Sequence, residues 1–200
     1  GSAAVFGTIL AVSMIPTVLL SPFGGVLADR LPKQKIMTIL DFVTAGLIVF
    51  YDAVYGSAGN LAAVTIFMIL LTLIQAFYQP SVQASIPLLA SQEQLMAANG
   101  IVMQVQALAG LLGPILAGML YGIGGVKPIL AASAVCFFLS AVMELFLRIP
   151  HEKREADGSP VRMALLDLKG AVTYLIRENT CLFKLLIVVA GINLFLSALF

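Results

Sequence analysis

The chain has 200 residues, of which 60% are hydrophobic and 10% are charged, and its mean hydropathy is +1.05. An ordinary soluble domain carries about 25% charged residues, so this composition excludes a water-soluble globule and predicts a protein embedded in a lipid bilayer. The net charge of +1, without a basic patch interleaved with aromatic residues, excludes nucleic acid as a partner.

Apolar runs follow one another along the chain, and most reach the length of about 20 residues that a helix needs to cross the hydrocarbon core. They are continuous and lack the strict alternation of barrel strands. Only helices and closed barrels satisfy backbone hydrogen bonds in lipid, so the sequence predicts an all-α polytopic helical bundle. The predicted spans cover residues 3–28, 36–55, 61–89, 92–121, 128–147 and 182–200.

The segment after the fifth run has a different character. Residues 148–162, RIPHEKREADGSPVR, are charged and contain Pro and Gly, which predicts a loop. In residues 162–178, apolar side chains recur at spacings of three and four, which predicts an amphipathic helix. We expect this helix to lie on the membrane surface as part of a linker, since nothing in it indicates catalysis.

The distribution of basic residues predicts the orientation in the membrane. All Lys and Arg residues except Lys127 lie before residue 36 or after residue 147. Residues 29–35 and 148–181 are therefore predicted to be cytoplasmic, in a multi-pass protein of the cell (inner) membrane. The chain begins and ends in apolar sequence, which predicts a fragment of a larger transporter-like protein.

A polar stretch, GGVLADRLPKQK at residues 24–35, follows the first run. Ser21, Gly25 and Asp29 recur every four residues on one helical face, where small residues let a second helix approach. The acid at the edge of that face could meet a helix N-terminus or an arginine. A generic positive-inside loop would explain the lysines but neither Gly25 nor Asp29.

This stretch resembles the signature loop of the major facilitator superfamily, G-x-L-a-D-r-x-G-r-k. Pro32 stands where the family most often has Gly. Pro at this position resembles the drug-exporter branch of the family, which includes macrolide and siderophore exporters. The resemblance implies a conformational latch. The latch residues are Gly25, Asp29, Arg30, Lys33 and Lys35.

The fourth run contains GIVMQVQALAGLLGPILAG, which resembles the antiporter motif of the same superfamily, G-x8-G-x3-G-P-x2-G-G. Pro114 removes a backbone donor and is predicted to bend the helix. A smooth, bent helix suits an interface that slides or rocks, although static packing of small residues is the alternative. The matching residues are Gly100, Gly113, Pro114 and Gly118, with Ala109 and Ala117 at two glycine positions.

The resemblance covers essentially the whole chain and implies the major facilitator fold. The spans match family helices 2 to 7, that is, the N-terminal half without helix 1 and the start of the C-terminal half. Residues 1–149 would form the N-terminal bundle, residues 150–180 the cytoplasmic linker with its amphipathic helix, and residues 181–200 the first helix of the C-terminal bundle.

Polar residues inside membrane spans are candidates for function. Four of them recur along the third run, which matches a helix that lines the central cavity in the superfamily. Uncharged amides there would suit a large, mostly apolar substrate, whereas hydrogen bonds between helices are the alternative. The candidate cavity residues are Thr72, Gln75, Gln79 and Gln83, with Asn193 on the last run.

Acidic residues also lie within the spans, Asp41 and Glu144 among them. We expect Asp41 and Glu144 to form charge pairs near helix ends, Glu144 with Arg148 at i+4, and keep a proton relay as the alternative. Related exporters resemble one another in having an arginine in helix 4, and this sequence has no Lys or Arg between Lys35 and Lys127.

Together these features predict secondary active efflux of amphipathic small molecules, drug-like or siderophore-like, by proton antiport with alternating access. The expected partners are the bilayer, the substrate and the proton. No cofactor or metal is expected, and two acids, Asp29 and Asp41, are too few for a metal-dependent lipid transferase. The alternative is a non-transporting membrane module or an inactive fragment of a transporter.

Overall fold

The computed structural model describes residues 3–55, 61–150, 166, 169–170, 173–178 and 180–199. The described residues form helices and no strand, so the predicted all-α class is confirmed. The helices are α1 (Ala3–Arg30), α2 (Lys33–Tyr55), α3 (Leu61–Leu89), α4 (Leu95–Gly124), α5 (Val126–Leu145), a π-helical turn (Tyr174–Glu178) and α6 (Thr180–Leu199).

The chain divides into two compact units, Gly1–Glu155 and Ala156–Phe200. In the first unit, α1 packs along α3, and α2 packs against both α5 and α3. Helix α4 contacts α5 and, less extensively, α3. In the second unit, the π-helical turn contacts α6. The amphipathic helix predicted over residues 162–178 lies partly outside the described residues, and its last five residues form the π-helical turn instead.

The core of the first unit is built from small and polar side chains. On α2 the buried residues recur at the helical period, so that one face of this helix meets its neighbours. Small residues let helix backbones approach closely, which is how helices associate where lipid is as apolar as the side chains. The buried residues are Met37, Thr38, Asp41, Thr44, Ala45 and Ile48 on α2, Ala76, Ser81 and Ser85 on α3, and Ala134, Ala141 and Glu144 on α5.

Several buried hydroxyls satisfy their hydrogen bonds within their own helix. Thr44 donates to the carbonyl of Leu40 at 2.8 Å, and Ser85 donates to that of Ser81 at 2.6 Å. Such i−4 bonds let a hydroxyl lie in a water-free interior without a partner from another helix. They explain how a core rich in Ser and Thr is compatible with a membrane.

The outer surface of the first unit is apolar. Of the described helices, α2, α3, α4 and α5 are long and apolar enough to cross a membrane. Large side chains such as Leu111 (64% exposed) and Phe146 (79% exposed) point outward, the reverse of a soluble protein. Cys136 is likewise exposed.

A single residue, Gly125, connects α4 to α5. Its φ of 72° and ψ of −141° lie in a region that residues with a side chain rarely adopt. The N–H of Gly125 donates to the carbonyl of Tyr121 at 2.8 Å, which completes the last turn of α4. The chain therefore reverses without the short loop expected from the sequence.

We expect Gly125→Ala to lower the free energy of unfolding by about 1–3 kcal/mol, because a side chain strains this backbone conformation. Thermal unfolding of the purified protein in detergent would measure the change. Gly122→Ala is the matched control, since Gly122 lies in α4 with open space around it. Equal melting temperatures for the two variants would contradict the prediction.

Candidate functional site

Helix α1 comes closest to α3 at Gly24. Gly24 is buried, and a Cβ added there would collide with the backbone carbonyl oxygen of Ala76. Pro80 lies four residues after Ala76 and has no N–H, so it cannot give this carbonyl its usual helical hydrogen bond. Because Gly24 has no side chain, the backbones of α1 and α3 approach closely at this point. A missing side chain on one helix thus complements a missing donor on the other.

Hydroxyl groups join the same two helices further along. Thr72 of α3 donates to the carbonyl of Ser13 at 2.7 Å, and Thr17 of α1 donates to the carbonyl of Thr72 at 3.2 Å. Both are hydrogen bonds between helices, which is one of the two roles that the sequence allowed for Thr72. The hydroxyl of this candidate cavity residue is therefore engaged in helix packing.

The signature loop lies between α1 and α2. Gly25 is half-buried, and nothing lies within 4 Å of a Cβ added there. Asp29 and Arg30 are the last residues of α1, and their side chains are outside the described set. Lys33 is half-buried at the start of α2, and Lys35 is exposed. The open side of Gly25 leaves room for a further helix, and the latch stays a prediction.

Gln34 ties this loop to the end of α5, a contact that the sequence analysis missed. Its side-chain amide donates to the carbonyls of Glu144 and Leu145, each at 3.0 Å. These carbonyls belong to the last turn of α5, where the regular helical hydrogen bonds end, and that of Glu144 also accepts the N–H of Leu147 at 3.1 Å. One side chain therefore holds the α1–α2 loop against the end of α5.

A row of amides occupies the exposed face of α3. Gln75, Gln79 and Gln83 recur every four residues and are all exposed, on the side of α3 away from the buried Ser81 and Ser85. Within the part of the chain that the structure describes, these amides make no hydrogen bond. Polar groups at membrane depth need partners from protein, water or substrate, so this face is the strongest candidate for binding.

The remaining predicted positions lie on α6 and α4. Asn193 is exposed on α6 in the second unit, where its amide donates to the carbonyl of Val189 at 2.9 Å. On α4 no residue is buried. Open space surrounds the motif glycines of this helix, Gly100, Gly113 and Gly118. The small-residue face of α4, with Pro114, is therefore unoccupied within the first unit.

Two buried acids meet where α2, α3 and α5 join. Glu144 is 5% exposed and Asp41 is 2% exposed. The hydroxyl of Tyr78 donates to Oε1 of Glu144 at 3.0 Å, and the hydroxyl of Ser140 lies beside both Asp41 and Tyr78. We call these four residues the carboxylate cluster. Oδ2 of Asp41 and Oε2 of Glu144 have no hydrogen-bond partner.

The expected pairing of Glu144 with Arg148 is wrong. Among the described residues this ion pair is not formed, and Arg148 is exposed beyond the end of α5. The Glu144 side chain instead points to Tyr78 on α3. The i+4 rule describes neighbours along one helix surface, whereas here packing between helices decides the partner.

Comparison with known proteins agrees with this architecture, that of a multi-pass membrane transport protein. The model of the Major Facilitator Superfamily matches residues 1–200, so the chain belongs to this superfamily. The resemblance found in the sequence motifs is thereby confirmed. No solved structure matches the chain.

The curated relatives include efflux proteins. Macrolide efflux protein A of Streptococcus pyogenes is 27% identical over 193 residues, which cover 94% of this chain and 46% of that protein. Macrolide efflux protein A of Enterococcus faecalis is 28% identical over 193 residues, with coverages of 94% and 58%. The uncharacterized MFS-type transporter YkuC of Bacillus subtilis is 21% identical over 172 residues, with coverages of 82% and 40%. The chain spans about half the length of these relatives.

We expect Gly24→Ala to lower the free energy of unfolding by about 1–3 kcal/mol, because the added methyl group forces α1 away from α3. Gly25→Ala is the control at the neighbouring position and should cause no loss, since its surroundings are open. Thermal unfolding in detergent compares the two. Greater destabilisation by Gly25→Ala would contradict the assignment of Gly24 as the contact residue.

Proposed function

We propose that this protein exports amphipathic small molecules, of a drug-like or siderophore-like class, by secondary active transport. The observation that carries the proposal is the exposed amide row of Gln75, Gln79 and Gln83 on α3. Membership of the Major Facilitator Superfamily supports it, as do relatives named for macrolide efflux. We assign the protein no enzymatic activity.

The chemistry of the amide row suits such a substrate. Each Gln offers a carbonyl acceptor and two N–H donors without carrying charge. A large, mostly apolar molecule with scattered oxygens can bind such groups while the surrounding apolar surface excludes water. Charged side chains would instead favour small ions. Thr72, on the same helix, and Asn193, in the second unit, stay further candidates for contact with the substrate.

Alternating access is the proposed mode of movement, with protons exchanged for the substrate. Gly113, Pro114 and Gly118 lie on α4, where small residues meet open space. We propose that a second bundle packs on this face and slides or rocks against it. The signature loop (residues 24–35), with Asp29 at the end of α1, would act as the latch that stabilises one of the two states. Residues 29–35 and 148–181 are proposed to face the cytoplasm across the cell (inner) membrane.

Truncating one amide of the row tests the substrate assignment. We expect Gln79→Ala to reduce macrolide efflux several-fold, because a lost hydrogen bond costs about 0.5–1.5 kcal/mol. The measurement is accumulation of a labelled macrolide in cells that express the complete gene. Gln92→Ala, at the exposed turn between α3 and α4, is the control and should leave efflux unchanged.

One outcome would count against efflux, and two others would each remove one part of the proposal. Cells with the wild-type gene that accumulate macrolides and other amphipathic drugs as much as empty cells would favour a non-transporting module. Equal efflux by the Gln79→Ala and wild-type proteins would remove the amide row from the binding site. A protonophore that leaves wild-type efflux unchanged would exclude proton antiport.

The latch is tested separately. We expect Asp29→Asn to lower efflux, because the neutral amide binds a helix N-terminus or an arginine more weakly than the carboxylate does. The amount of protein in the membrane fraction should not change. Glu93→Gln, which removes an exposed carboxylate, is the matched control. Unchanged efflux by Asp29→Asn would remove the latch role from Asp29.

A further inference from the structure

The carboxylate cluster combines burial with missing partners. Asp41 and Glu144 are almost completely buried, and each retains one carboxylate oxygen without a hydrogen bond. Thr38, one turn before Asp41 on the same face of α2, is 6% exposed and its hydroxyl also lacks a partner. Buried polar groups are normally satisfied, so the unpartnered oxygens on three side chains of one buried region call for an explanation.

No described cation neutralises the two acids. On α2, Lys33 and Lys35 lie about two turns before Asp41. Neither forms an ion pair with Asp41, and Lys35 is exposed. Helix α3 contributes Tyr78 and no charged residue. On the α5 side, Lys127 lies at the opposite end of the helix and Arg148 is exposed beyond it. Asp29 and Arg30 of α1 have no described side chains.

Two ionised carboxylates in such a site would be costly. Burial of each charge in a medium of low dielectric carries a penalty of several kcal/mol, and two like charges in one site also repel. A single bound proton converts one carboxylate to a carboxylic acid and removes one of the two charges. The pair then titrates as a unit, with the proton shared between two acceptors.

We propose that the carboxylate cluster is a proton-binding site, in which Asp41 and Glu144 together hold one proton between α2, α3 and α5. In the proposed antiport this proton is the coupling ion, and that role rests on the proposed function. Proton binding itself rests on the geometry of the cluster alone.

A metal ion suits the cluster less well than a proton. Hard cations need several oxygen ligands at once, and the described residues contain no group of three or more His, Cys, Asp or Glu side chains that could hold one. A proton needs a single lone pair, and Asp41 and Glu144 each have a free oxygen. The hydroxyls of Tyr78 and Ser140 supply hydrogen bonds to the oxygens that remain.

The structure also connects the carboxylate cluster to the signature loop. The amide of Gln34, in the loop-proximal turn of α2, is bonded to the carbonyl of Glu144 itself. A displacement of the loop would break this bond and loosen the last turn of α5, which carries the Glu144 side chain. The bound proton would then reach water when the latch opens, so release is linked to the conformational state.

Infrared spectroscopy of the complete purified protein tests proton binding without any transport. We expect a protonated-carboxyl C=O band at neutral pH that is lost in Asp41→Asn and in Glu144→Gln. The band should persist in Glu93→Gln, the exposed control. Absence of the band in the wild-type protein, its persistence in both cluster variants, or its removal by Na⁺ at constant pH would overturn the proposal.

Two further measurements keep the test decisive. If a cluster variant does not fold, Tyr78→Phe removes only the hydroxyl and should shift the pH at which the wild-type band titrates; an unshifted titration would overturn the proposal.

The coupling role is examined in proteoliposomes, where Glu144→Gln should lose uphill transport driven by a pH gradient but keep substrate counterflow. Wild-type counterflow that is absent altogether would refute the proposed function while the infrared band still stands.

Discussion

Lipid offers no hydrogen bonds to a polar group, and the packing of the first unit follows from this constraint. Hydroxyls of Thr44, Ser81 and Ser85 donate to carbonyls of their own helices. Thr17 and Thr72 satisfy theirs across the α1–α3 interface. Because these groups need no water, the helices can meet through small side chains. The amide row and the carboxylate cluster are the main departures from this pattern, and both are our candidates for function.

The two departures differ in kind. The amide row is exposed, so its unmet hydrogen bonds can be satisfied by molecules that come and go. The carboxylate cluster is enclosed by three helices, so only a very small ligand can enter without separating them. The proposed exchange of a large molecule for a small ion would use one site of each type. Helix α3 contributes to both, with Gln79 in the exposed row and the neighbouring Tyr78 in the cluster.

The sequence was sufficient for the helical class, the family and most of the helices. Long apolar runs have no other structure available in lipid, so α3 was predicted with its observed bounds. Contacts between helices were not predictable from local spacing. Gly25 fits the family motif, yet Gly24 makes the contact with α3, because rotation of a helix about its axis is set by its neighbours. Tyr78 and Glu144 are far apart in sequence, and their pairing exists only after α3 and α5 pack.

The turn at Gly125 has a mechanical consequence. With one residue between them, α4 and α5 form a hairpin that cannot lengthen at its closed end. A change in the angle between the two helices would have to be taken up at this one residue, and it would displace the far end of α5 most. Glu144 lies at that end, next to the carbonyls that Gln34 holds. The one-residue turn therefore relates the angle between α4 and α5 to the position of the buried acids.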